Sequence, residues 1–242
     1  MSLNRTLFYV TTFIIMLALS ALTKNVILSG VVTFALVMTG YILIAYLRTR
    51  KRLSLLEEKC DPKAFLERTE KQKQITGKDV RIGTYLSIDI AVAYMEMGEF
   101  QKAKEILLSI DRTKLSAKKG TLLVYYIDLI SCYYELGEIP EAEKLFETEI
   151  VVLPPLNKRM TLSVNILVAE RFFFLKRYDE SKKKFNELLN EKLSRRRYLS
   201  ILYRLAQIDE KTGDMESARI KYNQVAEQGN KLWIAEEAKK HC

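Results

Sequence analysis

Ala93-Tyr94-Met95-Glu96-Met97-Gly98-Glu99-Phe100-Gln101-Lys102-Ala103 and Cys132-Tyr133-Tyr134-Glu135-Leu136-Gly137-Glu138-Ile139-Pro140-Glu141-Ala142 share an aromatic residue, a glycine and an alanine at fixed offsets. Phe172 to Ser181 gives a third copy with Lys176 in the glycine slot, and Asp209 to Ala218 a fourth around Gly213. The turn slots fall at 98, 137, 176 and 213, a period of 39, 39 and 37 residues. A period of this length marks a repeated supersecondary unit. Each copy reads as two helices. Gly98, Gly137 and Gly213 would end the first in a left-handed cap, and the small Ala103, Ala142 and Ala218 would let the second pack close against it. Leu107, Phe146, Phe185 and Tyr222, further along the second helices, would bridge to the next pair.

Outward from these repeats, the sequence from Leu53 onward reads as helix after helix, with no strand-like alternation. An entry helix is expected over Lys63 to Gln74, capped by Asp61 with Pro62 at its first position. Leu232, Trp233, Ile234, Ala235 and Ala238 read as a final helix covering the last apolar face. Asp209, in the slot filled by Tyr94, Tyr133 and Phe172, implies a partly exposed stripe or the end of the array.

The first 52 residues are physically different, for they hold no Asp or Glu. Thr6 to Thr23 and Val26 to Leu47 are uncharged runs of 18 and 22 residues. As helices they reach roughly 27 and 33 Å, enough for a hydrocarbon core about 30 Å thick. The link Thr23-Lys24-Asn25 forces a tight hairpin, with Gly30 and Gly40 available for close packing. Arg5 before the first run and Arg48, Arg50, Lys51 and Arg52 after the second outweigh Lys24 between them, so both ends are expected in the cytoplasm. Neither run contains Asp, Glu, Lys, Arg or His, which favours an anchor over a transport path.

The chain carries 39 Lys and Arg against 30 Asp and Glu. Six of the basic residues lie in the first 52, leaving 33 against 30 beyond them. That balance is ordinary for a soluble domain and gives no basis for nucleic-acid binding. Lys182 to Lys184 and Arg195 to Arg197 are expected on solvated helix faces. Cys60, Cys132 and Cys242 are too few and scattered for a disulfide framework or a zinc site, and Cys132 falls on an apolar stripe. The single histidine, His241, sits at the C-terminal end, where chains fray, leaving no well-placed base for nucleophilic catalysis. The neighbouring carboxylates Glu57 and Glu58, or Glu236 and Glu237, are expected on solvated faces. No phosphate loop or metal motif is present, so a non-enzymatic chain without cofactor or small-molecule substrate is expected.

The repeat pattern resembles the tetratricopeptide family, in particular membrane-anchored bacterial members with an N-terminal hairpin; the period exceeds the usual 34 residues, and the longer connections absorb the excess. The expected architecture is all-α: a transmembrane helical hairpin (1–52), a linker and entry helix (53–79), a TPR-like α-solenoid of about four helix pairs (80–226) and a C-terminal cap (227–242). The resemblance implies a membrane-tethered scaffold whose first helices line a concave groove. Positions 13, 10, 6 and 3 residues before each turn slot would then form that groove. They are Tyr85, Ile88, Val92 and Met95 in the first repeat, and in the later ones include Ile127, Tyr134, Ile166, Phe173 and Tyr203, with more polar residues toward the end. The expected partner is an amphipathic helix or apolar peptide anchored on Ile127, Tyr134, Ile166 and Phe173, unless the chain's own Trp233 helix or entry helix fills the groove. The alternative is a structural subunit of a membrane complex whose hairpin makes the contacts.

Overall fold

In the computed structural model the described residues are 5–23, 25–76 and 79–242, with side chains described from Val10 onward except that of Thr23. Lys24 and the side chain of Arg5, both used in the topology argument, lie outside the described residues. Among the described residues there are twelve α-helices and no strand. The chain divides into two compact units, Met1–Leu53 and Ser54–Cys242.

In the first unit, α1 (Arg5–Thr23) is followed by α2 (Val26–Glu57), which continues into the second unit. Among the described residues one helix, α2, is long and apolar enough to cross a membrane, with mean hydropathy 2.2 over its most apolar window. Among the residues of α1 whose side chains are described, Val10–Leu22 form an apolar stretch. Phe13, Ile14, Phe34 and Ile42 are exposed, as side chains meant for lipid would be. Among the described residues, a Cβ at Gly30 or Gly40 would meet nothing within 4 Å, so no close packing through the glycines is seen there.

The second unit contains α3 (Pro62–Thr76), α4 (Val80–Glu96), α5 (Phe100–Leu108), α6 (Thr121–Glu135), α7 (Ile139–Leu145), α8 (Lys158–Phe174), α9 (Tyr178–Leu188), α10 (Arg195–Thr212), α11 (Met215–Gln228) and α12 (Trp233–Ala238). Asp61 accepts from the Ala64 N–H at 3.0 Å and caps α3. From α4 onward the helices pack in sequential pairs, α4 with α5, α6 with α7, α8 with α9 and α10 with α11.

The four turns within these pairs are nearly superimposable in their hydrogen bonding. Gly98, Gly137, Lys176 and Gly213 all have left-handed backbone, with φ of 80°, 76°, 59° and 89°. The next N–H, from Glu99, Glu138, Arg177 or Asp214, reaches back to the carbonyl of Tyr94, Tyr133, Phe172 or Asp209 at 2.8–2.9 Å. That bond closes the helix end by satisfying a carbonyl with no partner inside the helix. Lys176 therefore holds the glycine conformation at a cost of about 1 kcal/mol. The close-approach positions Ala103, Ala142, Ser181 and Ala218 are all buried. Ser181, the exception in type, donates its hydroxyl to the Ala169 carbonyl at 2.8 Å, so its polar atom is satisfied.

Asp209 corrects the reading of an exposed or terminating fourth copy. Its carboxylate has no exposure and lies between Lys182 at 2.7 Å and Lys221 at 2.6 Å, and accepts from Ser217 at 2.9 Å. Lys182 comes from the third pair, so the position joins the third and fourth pairs instead of ending the array.

The C-terminal end meets the start of the second unit. The Lys231 N–H donates to the Cys60 carbonyl at 3.1 Å, Asn230 Nδ2 to the Lys59 carbonyl at 2.8 Å, and Lys231 Nζ lies 2.6 Å from Asp61. Trp233 stands edge-on to Phe100 and Tyr203, with ring centroids 5.3 and 5.4 Å apart. The buried Cys60 packs in one apolar cluster with Leu199, Tyr222 and Leu232.

Candidate functional site

The first helices, α4, α6, α8 and α10, are those on which the sequence reading places a groove. Of the nine residues assigned to it, Tyr85 is exposed at 41%, and Val92, Met95 and Ile166 are half-buried. Ile88, Ile127, Tyr134, Phe173 and Tyr203 are buried, from 1% exposure at Tyr134 to 9% at Ile127. Three of the four intended anchors are thus core side chains, and an open apolar groove on them is not what the chain presents. Tyr134 makes the point: its ring stacks on Phe174 at 5.0 Å and its hydroxyl donates to Glu143, which also accepts from Arg171 Nη2 at 2.6 Å. Burial and that bond push the Tyr134 phenol well above its ordinary range.

What faces the middle of the array is charged, not apolar. Arg196 at the start of α10 donates to Glu96 at the end of α4, and to Glu57 at 3.0 Å. One residue on, Arg197 Nη2 donates to the Ser163 hydroxyl at 2.8 Å. Two turns further, Arg204, 5% exposed, donates to Glu135 of α6 and to Gln207 at 2.9 Å, with Glu170 of α8 3.7 Å from its Nε. The Arg204 guanidinium also lies about 5 Å from the rings of Phe173 and Phe174. Two arginines of α10 thus reach all three earlier first helices. Such long-range pairs fix helix register through directional, charge-assisted hydrogen bonds.

Acids outnumber these cations, and the electrostatics follow. Burial raises the Asp128 carboxyl to about 7 against the opposing pull of Arg196, with Asp89 and Glu96 pushing the same way as burial. Its Oδ2 is sealed from solvent without a hydrogen-bond partner. Burial and the nearby Glu96 likewise raise Glu170 to about 7. Arg197 is lowered to about 10 by burial and by repulsion from Arg196. Within the cluster, Asp128 and Glu170 are thus the acids raised toward neutrality, while Glu57, in spite of burial, is lowered to about 2 beside Arg196.

Several expectations are corrected here. Arg196 and Arg197 turn inward and Lys182 is ion-paired, so neither basic run is simply a solvated face. Glu57 is bonded to Arg196 and Ser194, not solvated. His241 is seated and not frayed, its ring stacked on Tyr222 at 4.4 Å and its Nδ1 3.2 Å from Glu210. The inward acids were legible in one respect: Asp89 and Asp128, like Glu96 and Glu135, are 39 residues apart, the repeat period itself. They lie one residue beyond the positions assigned to the groove.

A cleft of about 590 Å³ opens where the two ends of the array meet. Met97, Phe100 and Trp233 form its apolar part, and Lys63, Lys231, Glu236 and Glu237 its charged rim. Among the described residues no group of three His, Cys, Asp or Glu side chains is placed to hold a metal ion. No family model matches this sequence, and comparison with curated proteins and with solved structures returns no match.

Proposed function

We propose that this chain is a membrane-tethered, TPR-like scaffold that holds a protein partner and does not catalyse. The observation that carries the reading is the fourfold recurrence of one left-handed turn and one back-bond pattern, at 98, 137, 176 and 213, between sequentially paired helices. Stacked pairs of this kind form a solenoid, whose extended surface is suited to binding other chains. In this reading α1 and α2 cross the cell membrane as a hairpin, and the Arg48–Arg52 cluster holds residues 53–242 on the cytoplasmic side. The interior of the solenoid is occupied by the Arg196 and Arg204 ion pairs, so the partner's anchor enters the Met97, Phe100 and Trp233 cleft.

Two measurements on the full chain in its native membrane test this. Cys242 is the exposed cysteine, while Cys60 and Cys132 are buried. A membrane-impermeant thiol reagent should spare it on intact cells and modify it after lysis; modification on intact cells overturns the topology. Proximity labelling should recover a partner that is lost in a Lys63→Glu, Met97→Glu variant with unchanged melting, and an unchanged partner list in that variant overturns the cleft as the seat. A second reading, a structural subunit assembled through its span, is favoured by the empty space beside Gly30 and Gly40, where a further helix could approach. It predicts that an unrelated hairpin cannot replace residues 1–52.

A further inference from the structure

The connections leading into α6, α8 and α10 lie together. A Cβ at Gly120 before α6 would touch Met160 and Leu156 beside the start of α8, and Ser163 near that start is bonded to Arg197 of α10. Basic residues outnumber acids among their charges. The connection before α6 carries Arg112, Lys114, Lys118 and Lys119 against Asp111. The one before α8 has no charged residue over 151–157, with Glu147 and Glu149 ahead of it and Lys158 and Arg159 opening α8, and α10 is preceded by Lys192 and begins with Arg195, against Glu191. The opposite turns are mixed in sign: Glu99 is paired with Lys102, Glu138 and Glu141 flank the second, Lys176 and Arg177 accompany Asp179 and Glu180 at the third, and Lys211 accompanies Asp214 and Glu216 at the fourth. The basic excess of the unit is therefore gathered at the edge formed by these connections.

The same basic edge exposes Val151, Val152 and Leu156, at 71%, 64% and 48%, around Pro154 and Pro155. Glu57 is held at this edge, 3.7 Å from Arg159 and bonded to Ser194. Nine residues lie between Leu47, where the uncharged run ends, and Glu57, a covalent tether of at most about 36 Å when fully extended.

We propose that this edge rests on the anionic inner leaflet of the membrane, its lysines and arginines at the headgroups and the Val151, Val152 and Leu156 side chains dipping among them. The inference rests on the reading of α2 as a span. Each basic side chain near an anionic surface strengthens attachment about fivefold, and exposed apolar side chains between them add depth, as on interfacial segments generally. A nucleic acid would match the charge but not the apolar tip, nor the short tether.

The test uses the full chain in a Cys242→Ser background, reconstituted into vesicles of phosphatidylglycerol and phosphatidylcholine carrying a headgroup quencher. A fluorophore is placed at Val152→Cys or, on the opposite side, at Gln101→Cys. Severalfold stronger quenching at 152 than at 101 is expected. It should fall in pure phosphatidylcholine, in about 1 M salt, where the Debye length is ~3 Å, and in a Lys118→Glu, Lys119→Glu, Lys158→Glu variant. The salt arm needs no substitution, so misfolding of the variant does not decide the outcome. Vesicle flotation with equal or absent quenching at 152 overturns this proposal and leaves the span reading standing. Failure to float overturns the span reading and this one with it. Added RNA that binds the vesicles while 152 stays unquenched assigns the edge to nucleic acid instead.

Discussion

Asp128 and Asp209 are both acids on first helices, both inside the array, and their surroundings are opposite. Asp209 lies between Lys182 and Lys221 and accepts from Ser217; although burial works against ionisation, those bonds hold its carboxyl below the usual range. Asp128 has the neighbouring Arg196 already engaged by Glu57 and Glu96, and burial lifts it to about 7. The lesson is that burial alone does not set the role of a buried carboxylate. A cation within hydrogen-bond reach makes Asp209 a charged fastener, and the diversion of that cation elsewhere leaves Asp128 an acid at a near-neutral balance.

The largest effect should come from removing the fastener. Asp209→Asn leaves two lysines without their carboxylate and should cost about 3 kcal/mol, read as a lower melting temperature of the full chain in detergent. A loss under 1 kcal/mol would break the contrast. Asp128→Asn should do the reverse at pH 8 and stabilise the fold, because the amide carries no charge to bury. The sign follows from the raised folded value: the contribution of Asp128 to stability is complete below its unfolded value near 3.8 and is lost as pH rises through about 7. Asp209, lowered, contributes fully above 3.8 and loses its contribution as pH falls through its folded value. Melting between pH 4 and pH 7 should therefore decline in the wild type and flatten in an Asp128→Asn, Glu170→Gln variant; an equal slope in both would remove these acids from the account. The smallest effect is expected for Lys182→Met, because that side chain is 39% exposed and Lys221 still holds Asp209. A change of about 0.5 kcal/mol fits a half-solvated pair, whereas a loss matching Asp209→Asn would mean that Lys182 carries the whole interaction.

The turns were legible because their requirement is local. A glycine before a charged residue and a small residue five positions later describe a left-handed cap and a close helix contact within one pair. Even Lys176 was identified as a turn residue from its spacing alone. Asp209 was misread for the converse reason: its slot is aromatic in the other three copies, and its neutralising lysines lie 27 residues before and 12 after it. The inner face was misplaced by one residue per helix. A rotation of roughly 100° follows from each one-residue step on an α-helix, so that small error exchanges Met95 and Tyr134 for Glu96 and Glu135.

The sequence by itself determined an all-helical chain, its repeat period, the site of each turn, the small contact positions and an apolar N-terminal segment, since these depend on propensity, spacing and hydropathy over a few residues. Tertiary structure alone decided which side of each first helix turns inward, that Arg196 and Arg204 bind acids 100 and 69 residues away, and that Trp233 meets Phe100. Those outcomes depend on how successive pairs rotate against one another, a sum of packing contacts between residues far apart in the chain, and no local pattern encodes it.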